Sequence, residues 1–259
     1  MTAKVVGRGS VDVRDIGMTA SNNELMNRPQ AILFDFINTL VRNLRYDPLA
    51  GNARLLEYAV DRKGISPEEV TAEAKRLDSE VAVADNSIIE FTHHQFNRLL
   101  FDRLGITFRE PMEVLELEFW RESMLFSPEP GIADVLTALS AHNLRMGVAS
   151  NHHVSGTALS WELQRHELLN YFEFVISSAD YGIRKPHPVI FTSAATRLGM
   201  APSEIWYVGD TLETDMVGAK QCHMSAIWYN RRQQEPADIP VDVEVRSWEE
   251  FLELAQRYL

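Results

Sequence analysis

Four short clusters carry side chains able to do chemistry, and each follows an apolar run. Asp35-Phe36-Ile37-Asn38-Thr39-Leu40 follows Ala31-Ile32-Leu33-Phe34. A carboxylate placed there, before a tight small-polar turn, can attack phosphorus or carbon and can also bind a metal. Ser150-Asn151 follows Met146-Gly147-Val148-Ala149, where a hydroxyl and neighbouring amides can hold a phosphoryl oxygen. In Arg184-Lys185-Pro186-His187-Pro188 the prolines stiffen a turn, and Lys185 can neutralise both a nucleophile and a transferring phosphate. In Gly209-Asp210-Thr211-Leu212-Glu213-Thr214-Asp215 two carboxylates bracket a helix start, one to bind a hard divalent cation and one to brace the site. Each cluster also has a plainer reading. Asp35, Ser150-Asn151 and the Asp210/Asp215 pair are the residue types of helix caps and first turns, and a single lysine is ordinarily solvated. The functional reading rests on the conjunction: nucleophile, oxyanion contact, cation and paired acids recur in this order, each at a strand end.

The elements that must hold these clusters are legible in the apolar pattern. Short buried-strand runs lie at 31–34, 146–149, 174–176, 205–208, 226–229 and 241–245. Helical spacing fills 132–141, 158–169, 188–198, 212–221 and 248–258. Alternating strands and helices of this length predict an α/β fold, a Rossmann-like parallel sheet with helices on both faces. In such a sheet the site forms beyond the carboxyl ends of the strands, where the polar clusters fall. The stretch 46–125 differs, with helical spacing at 53–62, 67–83, 91–104 and 111–124 and little strand character. It is expected to be an inserted all-helical cap domain. Turn-rich borders lie at Tyr46-Asp47-Pro48 and Ser127-Pro128-Glu129-Pro130-Gly131. The expected division is a polar, flexible leader at 1–28, a hydrolase core at 29–45 and 126–259, and the cap at 46–125.

Bulk properties narrow the partners. The 259 residues hold 25 Lys+Arg against 37 Asp+Glu, a net charge of −12. That argues against nucleic acid or an anionic membrane as partner, because phosphate repulsion is not offset over the surface as a whole. A small anionic substrate needs only local cations and amides. The single cysteine, Cys222, rules out an internal disulfide and fits a reducing compartment, so a cytoplasmic protein is expected. No apolar run approaches the roughly 20 residues that span a bilayer.

With its four motifs in this order, the sequence resembles the haloacid-dehalogenase superfamily, subfamily I, over about Gln30 to Tyr229. The match is particularly close in Ser177-Ser178-Ala179-Asp180-Tyr181-Gly182-Ile183-Arg184-Lys185-Pro186-His187-Pro188. It is also close in Tyr207-Val208-Gly209-Asp210-Thr211, with Gly218-Ala219-Lys220 downstream. The resemblance implies a Rossmann-like core and a helical cap between the first and second motifs. It makes Asp35 the nucleophile and a Mg²⁺ ligand, joined by the backbone carbonyl of Ile37 and the carboxylate of Asp210, with Asp215 supporting the metal site. Ser150 and Lys185 would hold the phosphoryl group, Asn151 would stand beside it, and Thr39 would help to position it.

Ile37 departs from the family pattern. Most phosphatases of the family carry a second Asp there, which protonates the leaving alcohol and then deprotonates the water that cleaves the aspartyl-phosphate. Losing a positioned general acid–base costs about 10²–10⁴-fold. The first expectation is therefore a Mg²⁺-dependent phosphatase acting on a small phosphorylated metabolite, slow or directed at good leaving groups. One alternative is a non-catalytic protein that keeps a phosphate and metal pocket. Another is a carbon-directed relative of the dehalogenase or phosphonoacetaldehyde hydrolase type. The dehalogenases carry Tyr at that position and need no metal, so the retained Asp210 and Asp215 weigh against them. A phosphonoacetaldehyde hydrolase needs a cap lysine, and the surroundings of Lys63 and Lys75 do not match. His93-His94 and His152-His153 lack a ligand set and are expected as surface or capping residues, with a substrate contact left open for His152-His153 because they follow the second motif. Trp161, Trp206, Trp228 and Trp248 are expected in the core. Arg42, Arg45 and Tyr46, just after the first motif, are candidates to face the substrate from the hinge, none of them singled out.

Overall fold

The computed structural model describes residues 26–82, 87–235 and 237–259. Residues 1–25, most of the expected leader, lie outside the described residues. Met26 and Asn27, assigned to the leader from sequence, instead belong to the core: Met26 packs against it, and the Asn27 carbonyl accepts from Trp206 Nε1 at 3.0 Å.

The chain enters through β1 (Ala31–Phe34) and β2 (Val41–Tyr46), and then runs through α1 (Pro48–Tyr58), β3 (Ala59–Asp61), α2 (Pro67–Val81), α3 (His93–Leu104), β4 (Thr107–Phe108) and α4 (Met112–Ser123). It continues with β5 (Met124–Pro128), α5 (Ile132–Ala141), β6 (Arg145–Ser150), α6 (Gly156–Arg165), β7 (Val175–Ser177), α7 (Pro188–Leu198) and β8 (Ile205–Gly209). After a π-helical turn at Leu212–Met216 come α8 (Val217–Gln221), β9 (Ser225–Tyr229), β10 (Val243–Val245) and α9 (Trp248–Gln256). Six strands form one parallel sheet in the order β10-β9-β8-β1-β6-β7. This is the expected Rossmann-like α/β core.

The central strand explains why the sheet is covered on both faces. Successive side chains of a strand point to opposite faces. Ile32 and Phe34 join one apolar cluster with Val135, Leu159 and Phe251, whereas Ala31 and Leu33 join another with Ile190, Phe191 and Ala219. All four β1 residues are fully buried, as a continuous apolar run in a parallel sheet requires. Trp206, Trp228 and Trp248 are buried as expected, but Trp161 is only half-buried. Its ring lies under the guanidinium groups of Arg121 and Arg165, which keep one face at the surface.

The four helices α1–α4 share a separate apolar cluster built on Leu55, Val70, Leu77, Leu100, Leu115 and Phe119. The segment is not all-helical, because β3 and β4 pair antiparallel within it. Its borders also differ from the turn-rich reading: β2 and β5 form an antiparallel ribbon, Val41 opposite Pro128 and Tyr46 opposite Met124. Both ribbons pair residues distant in sequence, and the β2 segment Val-Arg-Asn-Leu-Arg-Tyr carries no clean alternation, so local pattern gives no sign of the pairing.

Candidate functional site

At the carboxyl ends of β1, β6 and β8 the chain opens a cleft of about 240 Å³. Asp35, Ile37, Ser150, Asn151, Lys185, Asp210 and Asp215, expected from sequence as site residues, all line it. Asn38, Arg184, Thr211 and Thr214 complete the wall. Thr39 is the exception. It is fully buried and absent from the wall, and among the described residues its Oγ1 has no hydrogen-bond partner.

The local backbone explains the placement of the acids. Asp35 ends β1, with its N–H still bonded to Val208 O at 2.9 Å. The chain then turns tightly: Asn38 adopts φ 61°, a left-handed conformation that Asn tolerates, and the Leu40 N–H returns to Phe36 O at 2.9 Å. Among the described residues no backbone N–H donates to the Ile37 carbonyl, which leaves that oxygen available. Asp215 rides on the π-helical turn after β8, its N–H on Thr211 O and its Oδ2 accepting from Thr211 N at 3.1 Å. Gly209 permits this return, because a Cβ there would collide with the Asp215 carboxylate.

One oxygen from each of Asp35, Asp210 and Asp215 lies within 4.8 Å of the others. The cation among them is Lys185, fully buried on a loop whose Lys185–Pro186 peptide is cis. Its ammonium donates to Asp215 Oδ1 at 2.6 Å, Asp35 Oδ1 at 2.7 Å and the Tyr207 hydroxyl at 2.8 Å. Tyr207 in turn donates to Ala149 O at 2.7 Å. Burial opposes the lysine's charge, but Asp215 and Asp35 outweigh it and raise its pKa above the ordinary value. Burial, then the repulsion of Asp35 and Asp215, pushes Asp210 up to about 7. Burial likewise raises Asp215 to about 6, despite Lys185. Three clustered carboxylates facing one ammonium leave an excess of negative charge. The donors are all hard oxygens, so the set fits a divalent cation of the Mg²⁺ type, whose charge would offset the repulsion among the acids.

Two parts of this arrangement escaped the sequence. Tyr207 reads as a strand residue, and nothing local shows that its hydroxyl reaches the lysine. Asn151 was expected at the substrate, yet its amide is spent on the protein: Oδ1 accepts from Lys185 N at 2.7 Å and Nδ2 donates to Lys185 O at 3.0 Å. It holds the lysine's backbone.

The helical segment docks on the core along one flank of the cleft. Ile89 bridges Ile183, Arg184 N donates to Ile88 O at 2.8 Å, and Glu90 N donates to Gly182 O at 3.0 Å. The buried Glu90 carboxylate accepts from Ser178 Oγ at 2.5 Å and faces Arg184 Nε at 3.4 Å. Nearby, buried Glu116 accepts from Ser155 Oγ and lies 3.3 Å from His94 Nε2. His93 N donates to His153 O at 2.7 Å. His93 and His152 are buried here, which corrects the surface reading of both: the joint supplies the apolar cover that a single sequence hides. Burial is the main cause that holds both rings below the ordinary imidazole range, His93 at about 3. Arg42 pairs with buried Glu129 at 3.3 Å, so its charge is turned to the ribbon. Lys63 pairs with Asp61 on the β3 side, as expected of a solvated lysine.

Residues 32–229 match the family model of the haloacid dehalogenase-like hydrolases. The chain is 28% identical over 243 residues to a glyceraldehyde 3-phosphate phosphatase of Methanopyrus kandleri, covering 88% of this chain and 97% of that one. A phosphatase of this superfamily from Thermococcus onnurineus superposes with TM-score 0.59 at 25% identity, over 86% of this chain and 96% of that one. A 2-haloacid dehalogenase from Pseudomonas syringae gives TM-score 0.63 at 24% identity over 89% and 100%, a likeness of fold alone. No helix among the described residues is long and apolar enough to cross a membrane. The protein belongs to the haloacid dehalogenase-like hydrolases.

Proposed function

We propose that this hydrolase is a Mg²⁺-dependent phosphatase of small phosphorylated metabolites, working through an aspartyl-phosphate on Asp35. The observation that supports it most is the charge of the cleft: three clustered carboxylates beyond the ends of β1 and β8 with one lysine among them. Asp35, the Ile37 carbonyl, Asp210 and Asp215 would hold the metal, which when bound offsets negative charge on the transferring phosphoryl group. Lys185 fixes one oxygen of Asp35, leaving the other to attack phosphorus and displace the alcohol oxygen. Ser150 holds a phosphoryl oxygen from the β6 side. Water then attacks the acyl-phosphate and returns Asp35 and inorganic phosphate.

Ile37 sets the limits of this chemistry. The rest of the wall is Asn38, Ser150, Asn151, Arg184, Thr211 and Thr214, none of which carries a carboxyl or imidazole to protonate the leaving oxygen. The reaction therefore favours acyl or aryl phosphates, whose leaving groups depart as anions. In this reading the helices of 46–125 act as the cap that excludes water from the reacting centre. The net charge and the lone, buried Cys222 support a cytoplasmic setting without a nucleic-acid partner.

The test is hydrolysis of an aryl and an acyl phosphate with Mg²⁺ and with EDTA, by the native protein, Asp35→Asn and Ile37→Asp. Turnover should need Mg²⁺, vanish in Asp35→Asn, and rise in Ile37→Asp toward the roughly 10²–10⁴-fold that a general acid supplies. Turnover that survives EDTA, or survives Asp35→Asn, would remove this reading. Activity found only in Ile37→Asp would leave a pocket that binds phosphate and metal without catalysis.

A further inference from the structure

We propose that Arg184 forms a second anion subsite in the cleft, so that the substrate carries a carboxylate or second phosphoryl group besides the one that is transferred. This rests on the phosphatase reading and names the substrate class of the same site. Two cationic side chains line the cleft, Lys185 and Arg184. Lys185 is spent, since Asp215, Asp35 and Tyr207 take its three N–H groups. Arg184 is differently placed. Its side chain keeps 32% of its surface exposed, and its one ionic partner among the described residues is Glu90, 3.4 Å from Nε. No hydrogen bond occupies its terminal nitrogens among the described residues. A guanidinium presents its donors in a planar fork that matches a carboxylate or phosphate, whereas an ammonium acts as a point charge.

The position of Arg184 is fixed from both sides. Its backbone N–H is tied to Ile88 O, and the next residue is clamped by Asn151. Glu90, itself held by Ser178 Oγ, steadies the guanidinium without neutralising it fully at that spacing. The subsite thus stands one residue from Lys185 and sits where the helical segment meets the core, so Glu90 is its positioning residue. A cleft of about 240 Å³ suits a phosphoryl group joined to a few further heavy atoms, short enough to reach both ends at once.

The test compares 2-phosphoglycolate, an alkyl ester whose departure needs the acid that Ile37 lacks, with p-nitrophenyl phosphate, which has no second anion. Arg184→Ala, Arg184→Lys and Glu90→Gln are made both in the native protein and in Ile37→Asp, which supplies that acid. Arg184→Ala should lower kcat/KM for phosphoglycolate at least tenfold more than for the aryl ester, chiefly through KM. Arg184→Lys should recover part of that difference, and Glu90→Gln should show a smaller loss of the same kind. Equal losses on both esters in Arg184→Ala would overturn the subsite, and so would a selective loss in Arg232→Ala instead, a cation on the other flank near Asp210. If the native protein hydrolyses neither ester, the phosphatase reading fails and the subsite is decided by calorimetry. Phosphoglycolate must then bind more tightly than inorganic phosphate to the native protein, with the difference lost in Arg184→Ala; equal affinities would overturn it.

Discussion

The strand-end cleft and the joint between helices and core both bury acids, but they settle the charge differently. At the joint each buried carboxylate has its own partners: Glu90 has Ser178 and Arg184, and Glu116 has Ser155 and His94. In the cleft three carboxylates cluster around one lysine that pairs with Asp35 and Asp215, and burial together with mutual repulsion pushes Asp210 and Asp215 up rather than down. Matched acids hold two surfaces together. An unmatched cluster is costly to fold and is retained where a cation completes it. On the proposed reading, the contrast separates structural from functional acids without reference to any relative.

The largest test of the contrast is to remove the shared cation. Lys185→Met leaves Asp35 and Asp215 buried against each other, and breaking a buried pair costs about 3–5 kcal/mol. Urea unfolding should show that loss, and millimolar Mg²⁺ should restore more stability to the variant than it adds to the native protein. A loss under about 1 kcal/mol, within the range of an exposed pair, would mean the cluster is not charge-strained.

The joint should respond to acid rather than to metal. His93 has a folded pKa of about 3, and burial is the main cause that lowers His152 and His153 as well. The unfolded chain takes up protons below about 6.5 while the folded rings stay neutral, so their stability is complete above pH 6.5 and is lost as pH falls toward 3. From His93 alone the loss at pH 5 is about 2 kcal/mol, at 1.36 kcal/mol per unit. His94 runs the other way: the Glu116 carboxylate facing its ring raises its pKa, so its contribution is present at low pH and fades above its raised value. Three rings against one predict looser docking in acid, read as faster proteolysis in the β2–β5 ribbon at pH 5 than at pH 7.5. Equal cleavage at both pH values would count against a docking role for the buried histidines.

A smaller effect should come from Glu116→Gln, about 1–2 kcal/mol for weakened charge-assisted hydrogen bonds. It should speed ribbon proteolysis yet leave the Mg²⁺-induced rise in Tm intact. A variant that also lost the Mg²⁺ response would show that joint and cleft are one electrostatic unit.

The parts of the molecule that could be read in the sequence share one property: their cause is local. β1 shows as four apolar residues, α7 as Pro188 followed by helical spacing to Leu198, and three of the four clusters as polar residues just beyond strands, the Lys185 cluster lying instead on the loop before α7. What was hidden depends on partners far along the chain. The β2–β5 ribbon, the burial of His93 and His152, the hold of Asn151 on Lys185, and the Tyr207 hydroxyl beneath the ammonium all join residues tens of positions apart. Arg184 stood inside a quoted motif, but only the cleft and Glu90 give it a role.

The grip of Asn151 on Lys185 also makes the cleft sensitive to one chemical change in a single side chain. Its side chain works as both acceptor and donor, and one hydrolytic event, the loss of ammonia from that amide, would end the pairing. The carboxylate formed could still accept from Lys185 N, but nothing would donate to Lys185 O. A fourth negative charge would also enter a cleft that already holds three. Deamidation at this single asparagine would therefore loosen the proposed site and destabilise the fold around it together, a form of wear that a lowered Tm would reveal.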